Sequence, residues 1–174
     1  MVLANLSKVT DTKLQRINSA LLKEFSSYPL NQAQVARIVK SADISRGSFY
    51  TYFKDLPDAY QYLYHQAMTA IHQPLPTASL TSNYQPEIYL QTASDFTGKI
   101  VNSRYYNLIK LHILYNEVIL PQAKPAPALT LDARHWSAMT LSHATIRDIL
   151  LQPAKRQAFL DRLAIALTSL VDQD

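Results

Sequence analysis

The stretch VARIVKSADISRGSFYTYF, residues 35–53, reads as two short helices with very little chain between them. Val35, Ile38 and Val39 put apolar side chains at helical spacing, and this first helix ends near Ser41. The link to Ser45 is Ala-Asp-Ile, in which Asp43 is a residue type that tolerates left-handed backbone. Ser45 is a good N-cap for a second helix, RGSFYTYF, because its hydroxyl can accept from a backbone amide of the first turn. Two helices so joined form a helix-turn-helix. The second has the dimensions to enter a DNA major groove, with its free N-terminal amides approaching phosphate. Arg46 lies in its first turn, Gly47 lets DNA come close, and Ser48, Tyr50, Thr51 and Tyr52 supply hydroxyls for phosphates or base edges. Phe49 and Phe53 belong to the core.

The surroundings are helical as well. Upstream, Leu14, Ile17, Leu21 and Phe25, with Ala20 between them, form one apolar face and predict a helix over about Thr10–Ser26. SYPLN then breaks the chain, and Asn31 is the expected cap of the helix that carries Val35. Downstream, Asp55 caps a further helix with Pro57 in its first turn and Asp58 three residues after the cap. Two proline-, serine- or threonine-rich stretches, 73–86 and 121–132, divide the chain into three helical blocks. Helices are expected at about 86–100, 103–120, 133–151 and 153–172. Met139, His143, Ile146 and Leu150 would share one face of the third, and Phe159, Leu163, Leu167 and Leu170 one face of the fourth. Joined by QPAK, those last two should pack as an antiparallel pair. The fold class is therefore all-α, with a helix-turn-helix domain over 1–72 and a helical regulatory and dimerisation domain over 73–174.

Composition agrees with this class. Of 174 residues, 48% are apolar and only two are glycine, which fits neither a disordered chain nor a glycine-rich sheet. With no cysteine, disulfide frameworks, thiolate zinc sites and cysteine nucleophiles are all excluded, and a reducing cytoplasm suits the chain. The N-terminus lacks the apolar run of a signal peptide, and the densest apolar stretch, 100–120, is broken by Arg104, Lys110 and Glu117, so no membrane span is expected. Net charge is +4, and most of the excess sits early: through His72 there are eight Lys and Arg against five Asp and Glu.

Ile17, Ala20, Leu21 and Phe25, followed by VARIVKSADISRGSFYTYFKDLPDAY, resemble the tetracycline-repressor-like (TetR) family of bacterial regulators, from about Ile17 to Leu63. The run Ser-Arg-Gly-Ser-Phe-Tyr-x-Tyr-Phe is the most specific part. The resemblance implies a DNA-binding N-terminal domain, a variable C-terminal domain that binds a small effector, and a homodimer on a near-palindromic operator. It also implies that Phe49 and Phe53 pack inward while Arg46, Ser48, Tyr50, Thr51 and Tyr52 face DNA, with Ser45 and Gly47 at the approaching end. Asn31 falls where the family usually has a capping threonine. Asp43 stands in place of the turn glycine, and Leu56 in place of a common lysine, which leaves Lys54 to supply that phosphate contact. The loop after the first helix is short, as in some relatives from Gram-positive bacteria.

For Tyr50 and Tyr52 the alternatives are a phosphate contact or an amphipathic ring on the domain surface, and the motif favours DNA. Lys8, Lys13 and Arg16 either reach the DNA backbone or form a solvated face. The five histidines include pairs at helical spacing, but no third ligand follows at metal-site spacing, so neither metal nor cofactor is expected. Tyr105, Tyr106, His112, Tyr115 and Trp136 either line an effector pocket or form ordinary core. Phosphate-cradling glycine loops and nucleophile elbows are missing, so the protein is not expected to be an enzyme. The sequence thus points to a cytoplasmic, ligand-responsive repressor that dimerises through its last two helices, the alternative being an interaction adaptor of the same fold with weak or lost DNA binding.

Overall fold

The computed structural model describes residue 6 and residues 9–71, 83–117 and 131–171. Among the described residues there are eight α-helices and no strands. They are α1 (Asp11–Ser27), α2 (Val35–Ala42), α3 (Arg46–Tyr52), α4 (Leu56–Ile71), α5 (Pro86–Val101), α6 (Tyr106–Leu111), α7 (Ala133–Leu151) and α8 (Arg156–Thr168). Most of the two expected linkers lies outside the described residues. Packing divides the chain into two compact units, Met1–Ala70 with Arg104–Pro121, and Ile71–Ser103 with Gln122–Asp174.

The first unit is built around α1. Its stripe of Ile17, Ala20, Leu21 and Phe25 is buried, because apolar positions three and four apart fall on one helix face. That face meets α2 and α6, and α2 in turn meets α3. Ile38, Phe49, Phe53, Tyr60 and Leu108 complete the core, each with no exposed surface. Phe25 and Tyr60 meet edge to face at 5.1 Å.

The helix expected over 103–120 takes a different form. A turn over 103–105 precedes α6, which then widens into a π turn at His112–Asn116, where Glu117 N–H bonds to His112 O at 2.9 Å. The cause is long-range. Asn116 is fully buried and its Oδ1 accepts the backbone N–H of Leu30 at 2.9 Å, supplying an amide that the chain reversal after α1 would leave unbonded.

In the second unit, α5, α7 and α8 pack pairwise. Tyr89, Ala93, Ala138, Leu163 and Leu167 form the core, flanked by Met139, Ile146 and Leu170. A 3-10 turn at Pro153–Lys155 joins α7 to α8. The guanidinium of Arg156 then ties the start of α8 to α5, bonding to Ser94 O at 3.0 Å and Ser94 Oγ at 2.8 Å. The buried face of α7 runs through His135, Ala138, Ser142, Thr145, Ile149 and Leu150, with Met139 and Ile146 packed along its edge; of the face expected from the sequence, His143 alone is exposed. Small and polar side chains make up the middle of this stripe, so large apolar residues at helical spacing reveal only its edge and its C-terminal end. No helix among the described residues is long and apolar enough to cross a membrane.

Candidate nucleic-acid interface

The turn between α2 and α3 is made by Asp43, whose φ of 52° and ψ of 56° are left-handed. Asp can adopt this region because its short polar side chain finds local partners, and here the carboxylate pairs with Arg16 of α1 at 2.9 Å. Ser45 caps α3 as expected: its Oγ accepts Ser48 N–H at 3.0 Å and lies 2.9 Å from Ser48 Oγ. At the other end, Asp55 Oδ1 accepts Asp58 N–H at 2.8 Å and Asp58 Oδ2 accepts Lys54 N–H at 3.0 Å, a reciprocal arrangement that starts α4.

α3 buries Phe49 and presents Ser45, Arg46, Gly47, Tyr50 and Thr51 to solvent, followed by Lys54; Ser48 is half-buried. Tyr50 is 45% exposed, and Arg46 Nη2 approaches its hydroxyl at 3.4 Å. Thr51 Oγ1 donates to Gly47 O at 3.0 Å. No acidic residue occurs between Asp43 and Asp55, so the exposed side of this helix is purely cationic and polar. Gly47 has no positive φ, and a Cβ built on it would meet only Ser45 Oγ, at 3.8 Å. Neither the backbone nor the packing of this chain requires a glycine there.

The family model described as "Bacterial regulatory proteins, tetR family" matches residues 17–55, the span from α1 through α3. This is a TetR-family helix-turn-helix domain. A crystal structure of a TetR family transcriptional regulator from Chloroflexus aurantiacus J-10-FL is similar to the chain, with a TM-score of 0.57 at 18% identity, over 97% of this chain and 98% of that one. At that identity the likeness is one of fold. No curated protein matches the chain.

Two residues of the TetR-like motif sit elsewhere than the sequence suggests. Asn31 does not cap α2. Pro29 leads into a 3-10 turn at Leu30–Gln32 that holds Asn31 on the surface, and α2 begins only at Val35, with Gln34 as its N-cap residue. Tyr52 is not on the outer face: it is 8% exposed, because its position one turn after Phe49 carries it toward the domain interior, and the Lys13 ammonium lies 5.6 Å from its ring centroid. Leu56, where the TetR pattern has lysine, is half-buried at the start of α4, while Lys54 is exposed.

Sequence reasoning missed Glu24. This carboxylate is 4% exposed and organises the start of α2: Oε1 accepts Gln34 N–H at 2.7 Å and Arg37 Nη2 at 2.7 Å, and Arg37 Nε lies 3.0 Å from both oxygens. Arg37 also donates to Gln32 O at 2.8 Å and stacks over the Tyr28 ring at 3.9 Å. The hydrogen bond to Glu24 raises the Arg37 pKa further. A signal existed, since Glu24 interrupts the apolar stripe between Leu21 and Phe25, and an acid there must be paired.

The four residues expected to line an effector pocket are divided between the two units. Tyr105, His112 and Tyr115 belong to the first unit and Trp136 to the second. Tyr105 is buried with its hydroxyl bonded to Arg104 at 2.7 Å, whereas Tyr115 and Trp136 are half exposed. His112 stacks on Tyr64 at 4.1 Å and its Nδ1 lies 3.1 Å from the Tyr60 hydroxyl. Burial raises the Tyr60 pKa, pushes Tyr64 up to about 12 and lowers His112. These rings stack on one another between α4 and the π turn, where burial disfavours their charged forms and the Tyr60 hydroxyl and His112 Nδ1 are each other's neighbours.

Proposed function

We propose that this protein is a ligand-responsive repressor that binds a near-palindromic DNA operator as a homodimer. Residues 1–72 would bind DNA, and residues 73–174 would dimerise and respond to an effector in the cytoplasm. The observation that carries the reading is the outer face of α3. Arg46, Gly47, Tyr50 and Thr51 are exposed on it with no acidic side chain, Lys54 is exposed just after it, and Gly47 has open space above it that the chain itself does not use. Ser45, Ser48 and the hydroxyl of Tyr52 would join them at the DNA backbone, with Tyr52 held by its buried ring. Asn31 is exposed on the 3-10 turn and is dropped from the contact set. Dimerisation through the last two helices is supported by Leu141 on α7, Ile165 on α8 and Val171 just after it, which are 36%, 74% and 44% exposed. Ile165→Glu is expected to convert dimers to monomers in sedimentation. Successive major grooves recur about every 34–36 Å, so a small rotation of one recognition helix against its two-fold mate abolishes binding.

A salt titration on DNA flanking the protein's own gene tests this. Specific binding should fall steeply with salt, with a logarithmic slope of about −0.9 for each phosphate neutralised. Binding no better than to random DNA at low salt would leave the interaction adaptor as the function.

A further inference from the structure

The turn of the helix-turn-helix carries a carboxylate that its backbone does not need. At a φ of 52° the position accepts glycine or asparagine as readily as aspartate, and neither of those is charged. Asp43 is nonetheless the single acidic residue between Phe25 and Lys54, and its side chain is 88% exposed. Its Cα lies at most about 11 Å from that of Arg46, three residues further along the chain. A duplex that seats α3 in its major groove passes its backbone over the residues before that helix. The carboxylate then comes near enough to phosphate for salt to screen it only in part. A free negative charge in that place opposes binding.

Asp43 is not free. Arg16 Nη1 donates to its Oδ2 at 2.9 Å, across 27 residues of chain. With the two side chains 45% and 88% exposed, such a pair adds little to the stability of the fold. It does hold a guanidinium in place at the edge of the turn. Among the described residues the Nε and Nη2 of Arg16 have no partner, so they remain donors. Lys13, one turn earlier on the same face of α1, lies 5.6 Å from the ring centroid of Tyr52. Two cations of α1 thus meet the helix-turn-helix, and Arg16 is the more exposed of them. Magnitudes decide whether the carboxylate helps or hinders. Ordering a loose arginine side chain at an interface costs a factor of roughly 2–12 in affinity. Repulsion between a carboxylate and a phosphate about 8 Å away, in water at about 0.15 M salt, costs less than about twofold. Anchoring outweighs repulsion.

We propose that Asp43 is a positioning residue for DNA binding: it holds Arg16 so that the remaining N–H groups of the guanidinium donate to a backbone phosphate beside the turn. The inference rests on the reading of α3 as a DNA-recognition helix. Its test is the affinity of the full-length protein for the duplex it binds most tightly among fragments flanking its own gene. Fluorescence anisotropy reads that affinity, and urea denaturation checks the fold of each variant. Asp43→Asn keeps the turn and removes a negative charge, yet it should weaken binding by about two- to fivefold. In an Arg16→Gln background the same change should no longer weaken binding, since no anchored cation is left to lose. Arg16→Gln alone should reduce the magnitude of the logarithmic salt slope by about 0.9, the share of one phosphate. Unchanged or tighter binding by Asp43→Asn, an equal loss in both backgrounds, or an unaltered salt slope in Arg16→Gln would each overturn the proposal. If Asp43→Asn fails to fold, the salt slope of Arg16→Gln decides. Each of these failures leaves specific binding by the parent, and with it the repressor reading, in place; a parent that binds no fragment better than random DNA overturns both.

Discussion

Replacing Gly47 with alanine separates what α3 needs for itself from what it needs for a partner. Gly47 is the second residue of a seven-residue helix and has no positive φ. The added methyl would touch only Ser45 Oγ at 3.8 Å, an ordinary van der Waals distance. Alanine also restricts the unfolded chain, which at a compatible site stabilises by about 0.4–1 kcal/mol. The urea midpoint of Gly47→Ala should therefore be unchanged or slightly raised. On DNA the sign reverses. If the first turn of α3 lies against the groove, the methyl occupies space that the duplex fills, and forcing one such group into a packed contact costs about 1–3 kcal/mol. That corresponds to roughly 5–150-fold in Kd. Fluorescence anisotropy with a labelled operator duplex reads the affinity, and urea denaturation reads the fold. Equal affinity in a variant of unchanged stability would refute the placement of Gly47 at the DNA surface. A clear loss of stability would refute the packing argument instead.

Three further outcomes test the supports of this helix. Glu24→Ala should lower the urea midpoint more than Arg37→Ala, since it strips a partner from Gln34 N–H as well as from Arg37; the reverse order would dismiss Glu24 as the organiser of α2. Asp43→Gly should fold as well as the parent, while Asp43→Val should lose about 1–2 kcal/mol because a β-branched residue resists the left-handed turn, and equal denaturation curves for the two would be inconsistent with the observed φ. Burial lowers the His112 pKa below its ordinary 6.5, so the unfolded chain takes up this proton first as pH falls. Stability should then decline below about pH 6.5 by at most about 1.4 kcal/mol per unit, levelling once the folded imidazole also protonates, and His112→Gln should remove that part of the pH profile.

Where a signal is local, the sequence carries it in full. Asp43 makes the turn, Ser45 caps α3, and Asp55 with Asp58 starts α4, each through atoms within four residues of one another. What escapes is decided at a distance. Asn31 has a capping side chain at a plausible spacing, but Pro29 and the 3-10 turn push the start of α2 on to Val35. The π turn answers to an amide 86 residues earlier in the chain, which no window of sequence contains. On α7 the inward stripe consists of residues such as Ser142 and Thr145, whose burial follows from tight packing and not from hydrophobicity. On the outer side of α3, Arg46, Gly47, Tyr50 and Thr51 are exposed, as is Lys54 just after it, and Tyr52 is the residue whose ring turned inward.

The hydrogen bond from Leu30 to Asn116 also has a consequence in time. At about 5–20 residues per second on the ribosome, the acceptor is synthesised roughly 4–17 s after the donor, 86 residues behind it. In the later part of that interval α1 to α4 have been made without α6, which packs on α1, and the loop before α2 still lacks the acceptor of its Leu30 amide. All of α5, a helix of the other unit, is made before the first unit is finished. A nascent chain interrupted anywhere before residue 117 presents α3 on an unfinished support, so completion of the helix-turn-helix unit is tied to having already built part of the second unit.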